Sequence, residues 1–136
     1  MIDTAKHQTI KITSDASSIL KIEGMMDQLA ADLQLNEEQA ANVYVAVTEA
    51  VKNAIHFGNR ENHSKHVTLI IDKVDSSLII TVKDEGNGFD FNNLPDPTAP
   101  ENIENITGRG IFLMQSLADS VEFKDNGATV VLKFNF

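Results

Sequence analysis

The chain of 136 residues contains no cysteine and no tryptophan. Without thiols there can be no disulfide and no thiolate metal site, a composition that fits a cytoplasmic protein. Its apolar runs fall well short of the roughly 20 residues that a membrane-crossing helix needs, so no membrane is expected as a partner. The start, Met1-Ile2-Asp3-Thr4, shows no basic segment leading into an apolar one, and a secretory signal is not expected. Basic residues are scarce: eleven Lys and Arg against twenty Asp and Glu leave a net charge of −9. No Lys/Arg cluster offers the footprint that nucleic-acid binding requires, which removes nucleic acid from the expected partners. The acid excess suits a basic protein partner, and it suits solubility alone equally well.

What is present describes a globular domain. The hydrophobic fraction of 42% and charged fraction of 23% are ordinary for a soluble fold. The length matches one domain spanning residues 1–136, with no repeats or linkers. Ile10 and Ile12 alternate within a short strand, His7 to Thr13. Ser14 or Asp15 can cap a helix running to about Gln34, with Ile19, Ile22, Met26, Leu29 and Leu33 at helical spacing and Gly24 weakening its middle. Asn36 and Gln39 form a capping box for a second helix, and Glu37 and Glu38 sit at the positive end of its dipole. Its apolar stripe is Val43, Val47, Ala50, Val51 and Ala54. The helix is predicted to stop near Phe57-Gly58, with the glycine in a left-handed cap.

Two strands follow, Val67–Val74 and Leu78–Lys83, turned at Asp75-Ser76-Ser77. Asp90 to Thr107 holds all three prolines (Pro95, Pro97 and Pro100) and reads as a long loop. A helix from about Gly110 to Asp119 precedes a closing hairpin, Val121–Lys124 and Thr129–Phe134, turned at Asp125-Asn126-Gly127. This order predicts an α+β two-layer sandwich in which three helices cover one face of a mixed, mainly antiparallel sheet. Hairpin pairs in place of repeated crossovers exclude a Rossmann fold.

Three polar signals interrupt this pattern. Glu49 and Asn53, four apart, emerge on one face of the second helix, away from its buried stripe. Asn53 offers an uncharged oxygen to Mg²⁺, and Glu49 can polarise water or a partner's hydroxyl; a plain solvated face is the competing reading. Asp84-Glu85-Gly86-Asn87-Gly88 ends a strand, where Asp84 can accept from an exocyclic amine and Gly86 and Gly88 allow a ligand close to the backbone. Thr107-Gly108-Arg109-Gly110 opens a helix, whose unpaired amides favour phosphate; Arg109 either adds to that charge or faces solvent. No Walker-type loop and no Ser-His-Asp arrangement is present.

Together, the segments TEAVKNAIHFGN, DEGNGFD and TGRGIFLM resemble the N box and two glycine boxes of the GHKL ATPases, the superfamily of gyrase and the histidine kinases. The resemblance runs from about Asn36 to Phe136 and implies the Bergerat ATP-binding fold. Within that superfamily the chain looks like the stand-alone anti-sigma factor serine/threonine kinases of bacterial partner switching. The resemblance implies a general base at Glu49, a Mg²⁺ ligand at Asn53 and an adenine-reading carboxylate at Asp84 beside Gly86 and Gly88. It also implies phosphate binding at Gly108 and Gly110, with Thr107 and Arg109 beside them. ATP and Mg²⁺ are then the expected cofactors, a sigma factor and a STAS-domain antagonist the expected partners, and a homodimer the expected assembly. The alternative within the same resemblance is a nucleotide-binding regulatory module that transfers no phosphate. Two departures stand out: His56 comes one residue early, before Phe57 and Gly58, and Asn105-Ile106-Thr107 stands where kinase members carry an arginine.

Overall fold

A computed structural model describes residues 6–88 and 106–136. It contains β1 (Lys6–Thr13), α1 (Ala16–Asp32), α2 (Glu37–Asn53), β2 (His66–Val74), β3 (Ser77–Lys83), α3 (Ile106–Leu117), β4 (Ser120–Lys124) and β5 (Thr129–Asn135). A single π-helical turn, Ala54–Gly58, extends α2. The five strands form one sheet in the order β1-β2-β3-β5-β4. All four pairings are antiparallel, so the described part of the expected mixed sheet contains no parallel pair.

The register explains the layering. Ile10, Leu69, Val82, Val130 and Phe123 lie opposite one another in sequence across all five strands. Since alternate residues share a face, this row and the rows beside it (Ile71, Ile80, Leu132; Leu78, Phe134) turn the same side of the sheet inward. The three helices supply the other half of the core, with Ile22, Met26 and Leu29 from α1, Val43, Val47 and Val51 from α2, and Ile111 and Met114 from α3. Each such side chain, fully buried, contributes roughly 1.5–3 kcal/mol of transfer free energy, which is what fixes the helices to that face.

Local signals set the helix ends. Asp15 is the N-cap of α1, accepting from the Ser18 amide, whereas Ser14 is buried and donates to the Lys65 carbonyl. Thr13 and Ser17 hydroxyls also donate to Asp15, and these bonds hold its carboxyl down at about 2. Asn36 and Gln39 form the reciprocal capping box of α2 at 2.8 and 3.0 Å. The Tyr44 hydroxyl donates to Glu23, tying α2 to α1, and that bond with burial pushes the phenol up to about 12.

Two expectations are corrected. Gly58 does not take a left-handed cap conformation; it ends the π turn, which closes through Asn59 N–H to the Ala54 carbonyl at 2.8 Å. And α3 begins at Ile106, not near Gly110, so the glycines fall inside a regular helix. The expected loop from Asp90 to Thr107 lies outside the described residues except for Ile106 and Thr107, which are helical.

Gly24 sits exposed in the middle of α1, and a Cβ there would meet no atom within 4 Å. Gly24→Ala is therefore expected to stabilise the fold by about 0.5–1 kcal/mol through the entropy of the unfolded chain. Urea unfolding with an unchanged m-value checks it; a lower midpoint would show that α1 uses this glycine for something other than its helix.

Candidate functional site

The end of the sheet nearest the π turn is not filled by side chains. Val82, Val130 and Phe123, the row described above, form its floor. Ala50 and Asn53 of α2, Ala54 of the π turn and Met114 of α3 close it from above, leaving a narrow cleft partly open to solvent. Its walls are apolar except for two groups, Asn53 and Asp84. An apolar slot with a few converging polar groups is the usual form of a small-molecule site.

Asp84 follows the last residue of β3 and is held by its backbone, its N–H donating to the Ala128 carbonyl at 2.9 Å. Its Oδ1 accepts from the Gly86 amide at 2.8 Å. The half-buried carboxyl is pushed up by burial; the Gly86 hydrogen bond and the Lys65 charge oppose this in part. Gly58 is in the way of nothing only because it lacks a side chain: a Cβ on it would collide with the Asp84 carboxylate. The glycine is required by packing across the cleft mouth and not by backbone conformation.

Glu49 and Asn53 do share a face of α2, and that face looks onto the first turns of α3. The point a Cβ would occupy on Gly110 lies 3.1 Å from Glu49 Oε2 and 3.4 Å from both carboxamide heteroatoms of Asn53. Asn53 Nδ2 is buried with no hydrogen-bond partner among the described residues. An unpaired buried amide costs about 1–3 kcal/mol, and rotating the carboxamide would bring its oxygen to the same place. The Glu49 side chain is 20% exposed, and its Oε1 lies 3.9 Å from Lys52 Nζ.

The structure thus brings Glu49, Asn53, Asp84 and Gly110 around one end of the sheet. Gly86 and Gly88 lie behind Gly58, lining an adjoining polar depression with Arg60 and Lys65. Thr107, Gly108 and Arg109 belong to the first turn of α3, whose amides have no acceptors within the helix. Gly110 is the fifth residue of that helix, and what it offers is a bare Cα opposite Glu49 and Asn53. Arg109 is exposed. His56 does not line the cleft; it is exposed, with Nδ1 3.7 Å from Glu61. Among the described residues, no group of three or more acidic or histidine side chains could hold a metal alone.

Sequence reasoning missed the apolar walls, above all Phe57 and Met114, and it missed Asn59, which is buried behind Asp84. For Asn59 a signal existed, since an asparagine in a run that begins as core helix needs partners for its carboxamide.

Comparison with known proteins shows the family and the fold. A family model described as "Histidine kinase-like ATPase domain" matches residues 12–134. The serine-protein kinase RsbW of Staphylococcus aureus, in strains JH9 and Newman, is 31% identical over 94 residues, covering 63% of this chain and 59% of the relative. The chain therefore spans about 59% of the length of the curated relatives it matches. The crystal structure of the RsbU and RsbW domains of Rv1364c from Mycobacterium tuberculosis shares the fold, with a TM-score of 0.64 at 11% identity. That match covers 96% of this chain and 32% of the other.

The raised Asp84 carboxyl has a consequence for stability. The folded protein keeps its proton to higher pH than the unfolded chain, whose ordinary value is 3.8. Stability from this group is complete below 3.8 and is lost as pH rises through the folded value. Asp84→Asn keeps an oxygen for the Gly86 amide without the buried charge. At pH 7 the variant is expected to unfold at the same or higher urea concentration than the native protein, the difference shrinking at pH 4. A variant less stable at pH 7 would contradict the burial argument.

Proposed function

The chain belongs to the histidine kinase-like ATPase domain family, and from that premise we propose that it is an ATP- and Mg²⁺-dependent serine/threonine kinase of a partner switch. Its substrate in this reading is a serine or threonine of a STAS-domain protein, and its regulatory target a sigma factor. In this reading residues 1–136 form one domain that works as a homodimer in the cytoplasm. No helix among the described residues is long and apolar enough to cross a membrane.

The observation that carries the proposal is Asn53 Nδ2, buried opposite Gly110 with no partner among the described residues and one helical turn from Glu49. A site of this kind fits a nucleotide. The cleft floor and Met114 give a flat ligand apolar faces, while the Asp84 carboxylate can accept a hydrogen bond at its edge. Asn53 would hold the magnesium ion with its oxygen, and the amides that open α3 would meet phosphate. When bound, Mg²⁺-ATP supplies the phosphoryl group and neutralises the charge that develops on it.

The chain's own contribution is position and proton transfer. Asn53, the last residue of α2, would hold the metal through its carboxamide oxygen. Glu49 Oε2 faces the same space from one turn earlier, where it can take the proton of an incoming hydroxyl. Its other oxygen, Oε1, lies 3.9 Å from Lys52 Nζ on the same helix. The bare Gly110 leaves room between them for the reacting groups. The departure at Asn105-Ile106-Thr107 bears on transfer more than on binding.

Radiolabelled ATP with a co-encoded STAS-domain protein tests the step beyond binding. Glu49→Gln is expected to slow transfer by about 10²-fold or more, the usual contribution of a general base, with ATP affinity nearly unchanged. Transfer by Glu49→Gln at the native rate would remove the base from the mechanism. No transfer by native protein that binds ATP would leave a nucleotide-binding regulatory module.

A further inference from the structure

We propose that Asn59 is a positioning residue for Asp84 and that it sets how well the site tells a 6-aminopurine from a 6-oxopurine. The inference rests on the nucleotide reading given above. Asn59 is 1% exposed, yet its carboxamide makes three hydrogen bonds. Nδ2 donates to Ser14 Oγ at 2.8 Å and to the His66 carbonyl at 3.0 Å, and Oδ1 accepts from the Glu85 amide at 2.7 Å. The first two bonds fasten the corner where β1 turns into α1 and the start of β2. The third reaches the backbone just past the base-reading carboxylate.

That third bond completes a series. β3 ends at Lys83, so the next amides have lost their ladder partners. Three successive N–H groups nonetheless each find a separate acceptor: Asp84 the Ala128 carbonyl, Glu85 the Asn59 carboxamide, and Gly86 the Asp84 carboxylate. Only the middle one uses a side chain from another element. Gly58, next to Asn59, packs its Cα on the Asp84 carboxylate, and its carbonyl oxygen occupies the space a Gly86 side chain would need. The segment 58–59 therefore clamps 84–86 along its whole length, with Asn59 as the one directional bond between them. Without it, Glu85 keeps only its side-chain bond from the His66 amide, its own amide loses its acceptor, and the Gly86 amide that orients Asp84 Oδ1 is less firmly placed.

A residue that merely fills the corner would affect stability and leave base choice alone. The two roles separate in the ratio of affinities for ATP and ITP, measured by calorimetry on the full chain. ITP presents a 6-oxo group where ATP presents an amine, so it cannot donate to Asp84 from that position. Native protein is expected to favour ATP by about tenfold or more, the worth of one hydrogen bond to a charged group. Ser14→Ala removes one donor-side partner of Asn59 and is expected to lower the melting temperature with the ratio kept. Asn59→Ala is expected to bring the ratio below about threefold, since the orienting bond is gone. Asn59→Asp keeps an oxygen for Glu85 but turns its other oxygen on the His66 carbonyl, so it is expected to lower the melting temperature and yet retain the preference, and it decides the matter if it folds where the alanine variant does not. A native ratio in Asn59→Ala, or a lost preference in folded Asn59→Asp, overturns the proposal. Native protein that binds ATP and ITP equally well overturns the base-reading role of Asp84 itself, and the positioning role falls with it.

Discussion

The site depends on backbone standing where side chains would normally be. Gly58 against the Asp84 carboxylate and Gly110 against Glu49 and Asn53 are the two contacts that let polar groups sit at the end of an apolar core. Interiors are packed closely enough that a single methyl at either point must displace something. At Gly58 that something is a carboxylate already bound to the Gly86 amide; at Gly110 it is the Glu49 carboxylate and the Asn53 amide. The sheet and three helices serve to bring these two bare backbone points against Asp84 and Asn53, the two polar side chains of the cleft.

The π turn contributes to the same end. A helix that stopped at Asn53 would end the roof of the cleft at its polar residue. Continuing through Ala54–Gly58 carries the apolar wall on to Phe57 and delivers Gly58 to Asp84. The wider turn also swings Asn59 inward, where its carboxamide reaches three separate elements. One-turn π segments inside helices commonly mark functional positions, because they move side chains off the regular helical face at the cost of weaker hydrogen bonding.

Much of this was legible in the sequence, and the remainder was not for physical reasons. Caps and stripes act over three or four residues, so Asn36 with Gln39, and the run from Val43 to Ala54, could be read locally and match α2. The turn at Asp125-Asn126-Gly127 was equally local, with all three residues at positive φ. Gly58 was misread because its reason lies 26 positions away: the demand comes from Asp84, and only the fold makes them neighbours. The start of α3 was placed late because glycines usually weaken helices, whereas here Gly110 is kept for what faces it. Glu49, Asn53 and Asp84 were visible as polar groups against apolar runs. That Asn53 would be left without a partner was not visible, since hydrogen-bond partners follow from tertiary contact.

The central claim is that Asn53 holds a metal-bound nucleotide in the cleft. It is tested most directly by titrating ATP into the native protein and Asn53→Ala, each with Mg²⁺ and with EDTA. The account predicts one molecule bound per chain, at least about tenfold more tightly by the native protein when Mg²⁺ is present, and no effect of Mg²⁺ on the variant. Native protein that binds no ATP, or a variant with the native magnesium dependence, would contradict it.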